Sequence, residues 1–173
     1  LRRVRCLSAA GAHEAAISEA RQALAAEPDG PEQLTSLADA LEAAGQERAA
    51  MELLQGASER GGAQALAALS ALLIKSGRTA DAVALLERSL LRYPESELLR
   101  FALAAAFEKR GEFGKAVGQL RAVLALDPNN PAALNSLGYA LAERGVELEE
   151  AERLVLKALS FDPENGAFLD SLG

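Results

Sequence analysis

The chain has 173 residues, half of them apolar, and its formal net charge is −7. The chain has 18 basic and 25 acidic residues, with no basic cluster and no tryptophan, and this composition argues against nucleic acid as a partner. No apolar stretch reaches the roughly 18–20 residues that a membrane-spanning helix needs. Cys6 is the sole cysteine, which excludes an internal disulfide and leaves the redox compartment open. The preceding Arg-Val-Arg does not suit lipid attachment, so we predict a buried helix cysteine.

Glycine recurs along the chain at a nearly constant interval. The series is Gly11, Gly45, Gly77, Gly111 and Gly145, with intervals of 34, 32, 34 and 34 residues. An alanine follows each glycine at an almost fixed distance, and a proline closes most units: Ala16, Ala50, Ala82, Ala116 and Ala151, then Pro28, Pro94, Pro128 and Pro163. A period near 34 residues predicts a solenoid of stacked helix–turn–helix units, in which each unit buries its apolar face against the next.

The first segments in chain order are residues 1–30, a partial repeat, and residues 31–62, a complete one. Residues 1–10 resemble the end of a first helix whose start is missing. In the complete repeat, Pro31 begins a helix and Gly45 ends it in left-handed geometry. The apolar positions of this helix share one face, and a second helix turns four more inward: Leu34, Leu37, Ala38 and Leu41, then Ala50, Leu53, Leu54 and Ala57.

The same pattern predicts repeats at 63–96, 97–130 and 131–165, followed by the start of a truncated repeat at 166–173. Neither end carries the polar cap that a repeat array needs. We therefore expect a fragment of a longer repeat protein, or open ends that pack on another chain. The link from Ser58 to Gly62 is short and lacks proline, which predicts a change of superhelical pitch. The turn from Val146 to Glu150 carries one extra residue.

One small residue recurs where the two helices of a unit should approach most closely. It is Ala38, Ser70, Ala104 or Gly138 in the successive repeats. A larger side chain there would overpack the contact, at a cost of about 1–3 kcal/mol. We assign these positions, and the alanines after the glycines, a structural role without chemistry.

These features together resemble the tetratricopeptide repeat family. The resemblance covers essentially the whole chain, and two segments match the family pattern closely: Leu126-Asp127-Pro128-Asn129-Asn130-Pro131 and Leu134-Asn135-Ser136-Leu137-Gly138. It implies an all-α, right-handed superhelical solenoid of antiparallel helix pairs. The last repeats also resemble those of bacterial multi-repeat proteins, including outer-membrane lipoproteins. This second resemblance implies the cytoplasmic or periplasmic side of a bacterial cell, and the compartment stays open.

The resemblance also implies a concave groove lined by the first helix of each repeat, where another protein or peptide segment binds. The groove positions are Glu32, Thr35, Asp39 and Glu42, then Gln64, Ala67, Ala71 and Ile74, then Leu98, Phe101, Ala105 and Glu108, and finally Ala132, Asn135, Tyr139 and Ala142. The N-terminal part is acidic, which favours basic residues on the partner. The later part exposes Ile74, Leu98, Phe101 and Tyr139, and the two aromatic residues are the expected anchors. Alternatively, Leu98 and Phe101 pack against neighbouring helices.

Other functional classes find little support in the sequence. One subclass of the family clamps a peptide carboxylate with basic residues, but the corresponding positions here are Thr35, Asp39, Ala67 and Ala71. His13, predicted in a turn with a packing role, lacks partners for a metal site or a catalytic triad. We therefore expect no catalytic residue, metal or cofactor. Two alternatives to partner binding remain: oligomerisation through the uncapped ends, and service as the regulatory arm of a larger enzyme.

Overall fold

The structure, a computed structural model, describes residues 2–26, 30–60 and 62–171, with Pro31 and Arg60 described by their backbone alone. The chain divides into two compact units, Leu1–Tyr93 and Pro94–Gly173, called unit 1 and unit 2 below. Every regular element in the described residues is an α-helix. None of these helices has the length and apolar character required to cross a membrane.

Unit 1 is built from antiparallel helices that pack on their chain neighbours. They are α1 (Arg2–Ala9), α2 (His13–Ala26), α3 (Pro31–Ala43), α4 (Glu47–Arg60), α5 (Ala63–Lys75) and α6 (Thr79–Arg92). The first helices of successive pairs, α1, α3 and α5, also pack side by side. His13 is the first residue of α2, so its prediction as a turn residue is wrong; its side chain is half-buried.

The turns between paired helices depend on glycine. Gly45 has φ +73°, a left-handed backbone in which residues with a Cβ are strained. This conformation lets the N–H of Gln46 reach the Leu41 carbonyl at 2.8 Å, which satisfies a carbonyl at the end of α3. The four equivalent glycines are also left-handed, which confirms the prediction made for Gly45.

The core of unit 1 follows the predicted apolar pattern. Leu34, Leu37 and Leu41 are buried on α3, and Leu54 is buried on α4. Cys6 is exposed, and its prediction as a buried residue is wrong. The buried residue of α1 is Val4, two positions earlier. At about 100° per residue, Cys6 points to a different side of the helix.

Unit 2 continues the alternation of helices. Its elements are α7 (Glu97–Lys109), α8 (Phe113–Leu126), α9 (Pro131–Glu143), α10 (Leu148–Phe161) and the short α11 (Gly166–Asp170). Asn130 joins α7 to α9: its Oδ1 accepts from the N–H of Ala133 at 2.9 Å and caps α9, while its Nδ2 donates to Glu97 at 2.7 Å.

The closest helix approach in unit 2 occurs at Gly138, between α9 and α10. A Cβ added there would lie 2.6 Å from Val155 Cγ2 and 2.9 Å from the Ala151 carbonyl oxygen. Gly138 itself is buried, as are Ala104 and Ser70 at the equivalent positions of the two preceding repeats. The prediction that small residues mark close helix contacts is confirmed most sharply at Gly138.

The extra residue after Gly145 is accommodated by an unusual backbone. Glu147 precedes α10 with φ 51°, the one left-handed residue other than glycine in the described chain. Its carboxylate accepts a hydrogen bond from Arg121 on α8, which also bonds Glu150 at 3.2 Å. Arg121 thereby ties α8 to the start of α10.

Candidate functional site

The predicted groove residues of unit 2 lie on α7 and α9, and they form what we call the α7–α9 surface. It comprises Leu98, Phe101, Ala105 and Glu108 on α7, with Asn135 and Tyr139 on α9. The two helices share a core cluster that contains Ala104, Leu137 and Leu141. Tyr139 is 51% exposed and Leu98 is 42% exposed, unusually high values for large side chains with apolar surface.

Two of the four large side chains predicted to be exposed are half-buried instead, and they pack against the core. Phe101 packs against the cluster between α7, α8 and α9, and Ile74 packs against the core of unit 1. The prediction that Phe101 and Ile74 are exposed is therefore wrong, because both side chains are half-buried. For Phe101 the alternative, that it packs against neighbouring helices, describes its contacts; for Leu98 it does not, because Leu98 remains exposed.

Asn135 has an unsatisfied polar atom beneath the α7–α9 surface. Its side chain is half-buried, and its Oδ1 is itself buried without a hydrogen-bond partner among the described residues. Because this oxygen is not accessible to solvent, it is not available to a bound segment in the described conformation.

Glu108 and Glu143 place two carboxylates at the C-terminal ends of α7 and α9. Partial burial raises the pKa of Glu108 above its ordinary value of 4.5, and the negative charge of Glu143 raises it further. The ionised form of Glu108 is therefore disfavoured in the free protein. A cationic side chain beside these carboxylates would relieve both effects.

The raised pKa of Glu108 predicts a pH-dependent stability. Just above pH 4.5 the folded chain binds more protons than the unfolded chain, so stability falls as the pH rises through the raised pKa and stays lower beyond it. We expect Glu108→Gln to raise Tm relative to the parent near neutral pH, with a difference that shrinks toward about pH 4. Thermal melts followed by circular dichroism at both pH values measure this effect.

The matched control for Glu108→Gln is Glu164→Gln, because Glu164 is exposed in the link after α10. This control should leave Tm unchanged at either pH. A Glu108→Gln gain of the same size at both pH values would contradict the assignment of the effect to ionisation.

The predicted groove residues of unit 1 lie on α3 and α5, and they form the α3–α5 surface. Glu32, Asp39, Gln64 and Ala71 are exposed, whereas Thr35, Glu42, Ala67 and Ile74 are half-buried. Partial burial raises the pKa of Asp39, as does the negative charge of Glu42, while Arg5 and Lys75 act in the opposite direction. The positive charges of Arg5 and Lys75 therefore partly offset the negative charge of this surface.

Lys75 on α5 and Arg5 on α1 are the cationic residues that act on Asp39 of the α3–α5 surface, and sequence reasoning did not predict either of them. Lys75 Nζ donates to Glu42 Oε2 at 2.6 Å and joins α5 to α3. This hydrogen bond is the main reason that the pKa of Lys75 is raised. Arg5 occupies, one repeat earlier, the position of Asp39, so an alignment extended into α1 could have found it. Lys75 stands just beyond the last groove position of its repeat, where the pattern gives no signal.

Comparison with known proteins agrees with this architecture. Residues 73–137 match the family model described as a tetratricopeptide repeat. Over 88 residues the chain is 40% identical to the TPR repeat-containing protein PA4667 of Pseudomonas aeruginosa, a match that covers 51% of this chain and 15% of that protein. The chain thus spans only a small part of that relative's length.

Solved structures of other repeat proteins are similar over nearly the whole chain. The Thermus thermophilus protein TTC0263, a thermophilic TPR protein, superposes with a TM-score of 0.74 at 24% identity, covering 99% of this chain and 96% of its own. YrrB superposes with a TM-score of 0.63 at 19% identity, covering 98% of this chain and 88% of its own. At such identities the likeness shows the fold alone.

The fold is a helical repeat solenoid, a class whose members bind other proteins on the surfaces of stacked helix pairs. The family match shows tetratricopeptide repeats at residues 73–137, and the Pseudomonas relative and the solved structures support the same architecture for the chain. Such a fold supports a role as a scaffold for protein–protein interaction in general terms, and this family and fold are typically non-catalytic.

Proposed function

We propose that unit 2 captures a segment of a partner protein along the α7–α9 surface. The observation that carries this proposal is the pair of exposed side chains, Leu98 on α7 and Tyr139 on α9. Apolar side chains of this size are left in water at a cost that a bound segment would remove. Tyrosine is also enriched among the residues that dominate binding energy.

Several residues of the surface have distinct roles in this proposal. Tyr139 and Leu98 provide apolar contact area, and Phe101 forms part of the floor between them. Glu108, together with Glu143, favours a basic side chain of the partner because a cation would lower the pKa of Glu108 toward its ordinary value.

The acidic α3–α5 surface supports a related role for unit 1. Glu32 and Asp39 are exposed and available to basic residues of a partner. Glu42 contributes less, because Lys75 already neutralises it. Rim charges of this kind act mainly on association rate and selectivity. YrrB, whose fold is similar, is described as having an unusual peptide-binding site, and this is consistent with peptide binding on such a fold.

The test begins with peptides selected from a random display library on the immobilised chain. A selected peptide is then titrated by fluorescence anisotropy against Tyr139→Ala and Leu98→Ala. We expect Tyr139→Ala to weaken binding roughly 30-fold, the loss typical of a hot-spot residue, and Leu98→Ala to weaken it about tenfold. Phe101 is less informative, since its partial burial couples binding to stability.

Leu126→Ala is the matched control for Leu98→Ala. Leu126 ends α8, a second helix, and is also 42% exposed. Its truncation should leave peptide affinity unchanged. If Tyr139→Ala and Leu98→Ala both bind like the parent, or if Leu126→Ala is equally impaired, the α7–α9 surface is not the binding site.

A further inference from the structure

Unit 1 contains an open crevice between α4 and α6, the second helices of two successive pairs. Its volume is about 640 Å³, and its floor is formed by α5. The residues used below as its definition are Ser58, Leu69, Leu73, Leu85, Arg88 and Arg92. This α4–α6 crevice contains none of the predicted groove residues, which lie on first helices.

The crevice is open because a side chain that fills the corresponding place in unit 2 is missing. In unit 2, Leu124 of α8 and Leu154 of α10 pack against both core clusters of that unit. Two repeats earlier, the position of Leu124 is occupied by Ser58, opposite Leu85. The Ser58 hydroxyl donates to the Gln55 carbonyl at 2.7 Å on its own helix, so it does not fill the space.

The polar links that bridge the second helices of unit 2 are also absent from the described part of unit 1. Arg121 bonds Glu147 and Glu150 in unit 2, whereas its counterpart in unit 1 is Gln55. Lys157 Nζ donates to the Pro128 carbonyl at 2.7 Å. Arg88 is the counterpart of Lys157, but it bonds the Ala84 carbonyl of its own helix instead of the link after α4.

Two arginines of the crevice consequently have no carboxylate partner among the described residues. Arg88 Nε bonds only the Ala84 carbonyl of its own helix at 3.2 Å, and the Arg92 guanidinium lies 5.4 Å from the centre of the Tyr93 ring. Two carboxylates also line the crevice: Asp81 is bound to Arg78 at 2.8 Å, and Glu59 of α4 is exposed. Free guanidinium groups beside an apolar floor favour a ligand with both carboxylates and apolar side chains.

We propose that the α4–α6 crevice binds an acidic amphipathic segment of a partner protein. A leucine-sized side chain of that segment occupies, over Leu69 and Leu73, the space that Leu124 fills in unit 2. Carboxylates on the same segment pair with Arg88 and Arg92. The three arginines that line the crevice outnumber its two carboxylates, whereas the chain as a whole carries a net charge of −7, so the crevice favours an acidic segment that the rest of the surface repels. The site is independent of the α7–α9 surface and of the basic segment expected there.

The probe is a labelled synthetic helical peptide with leucine on one face and glutamate on the flanks, titrated by fluorescence anisotropy at low salt. We expect the parent chain to bind it and Arg88→Glu or Arg92→Glu to bind it about tenfold more weakly, the loss expected for a charge-assisted hydrogen bond. A glutamine version of the peptide should show a similar loss. Arg48→Glu is the matched control, because Arg48 lies on α4 outside the crevice and is exposed.

Ser58→Leu tests the shape of the crevice. It should raise Tm, because the new side chain fills apolar space, and it should abolish peptide binding. A lower Tm, unchanged binding by Ser58→Leu, equal binding of the glutamine peptide, or no binding by the parent would each overturn the proposal. Sedimentation of the chain alone tests one more outcome. If the parent chain forms an oligomer and Arg88→Glu dissociates it, a second copy of the chain occupies the crevice, which would contradict the proposal.

Discussion

Replacing Leu86 by alanine is expected to lower the free energy of unfolding by about 2–5 kcal/mol, the range for a large-to-small change in a packed core. Leu86 lies in the middle of α6 and has no solvent exposure. The truncation removes apolar area from the interior and leaves a cavity that close-packed helices can only partly fill. Urea unfolding followed by circular dichroism measures the change.

Leu91→Ala is the matched control on the same helix. Leu91 is 85% exposed, so its truncation should change the unfolding free energy by no more than about 0.5 kcal/mol. The two variants remove identical atoms five positions apart on α6. Similar losses of unfolding free energy for both variants would mean that α6 does not pack against the core in the orientation described.

The substitution Gly138→Ala is expected to destabilise the chain by about 1–3 kcal/mol, the usual cost of overpacking. The loss is expected even though alanine favours a helix more than glycine does, by roughly 1 kcal/mol. The new methyl group would meet Val155 Cγ2 at 2.6 Å and the Ala151 carbonyl oxygen at 2.9 Å. The Val155 side chain can rotate, but the carbonyl oxygen belongs to the backbone of α10, so α9 and α10 must separate.

Gly118→Ala provides a control of opposite sign in the same unit. Gly118 lies within α8, is exposed, and has no atom within 4 Å of an added Cβ. Alanine there should stabilise the chain by about 1 kcal/mol through helix propensity alone. Both variants are compared by urea unfolding. A stabilising Gly138→Ala would contradict the close approach of α9 to α10.

The regular part of the fold could be predicted from the sequence because local physics determines it. The left-handed turn at Gly45 needs a residue without a Cβ, and the helix-period spacing of Leu34, Leu37 and Leu41 defines a buried face. These features repeat in successive units, so each repeat supports the interpretation of the next. The same regularity made the tetratricopeptide resemblance specific.

The candidate site was harder to predict because it depends on how far each side chain lies from its neighbours. The repeat pattern predicts that Phe101 and Tyr139 both line the groove. In the structure Phe101 packs partly into the core, whereas Tyr139 is half exposed to solvent. Cys6 was expected inside and lies outside, since the small number of residues in α1 gives a weak pattern. The position of Lys75 gives no sign that it reaches Glu42 on another helix.

The sequence by itself determined the helices, their turns and the class of protein, because these depend on residues a few positions apart and recur in every repeat. Only the tertiary structure decided how side chains act on one another across helices: the effect of the Glu143 charge on Glu108, the pairing of Lys75 with Glu42, and the open space beside Ser58. Such contacts join residues about one repeat apart, where small differences in side-chain size and link length decide whether a gap is filled. A periodic pattern describes what the repeats share and therefore does not predict those differences.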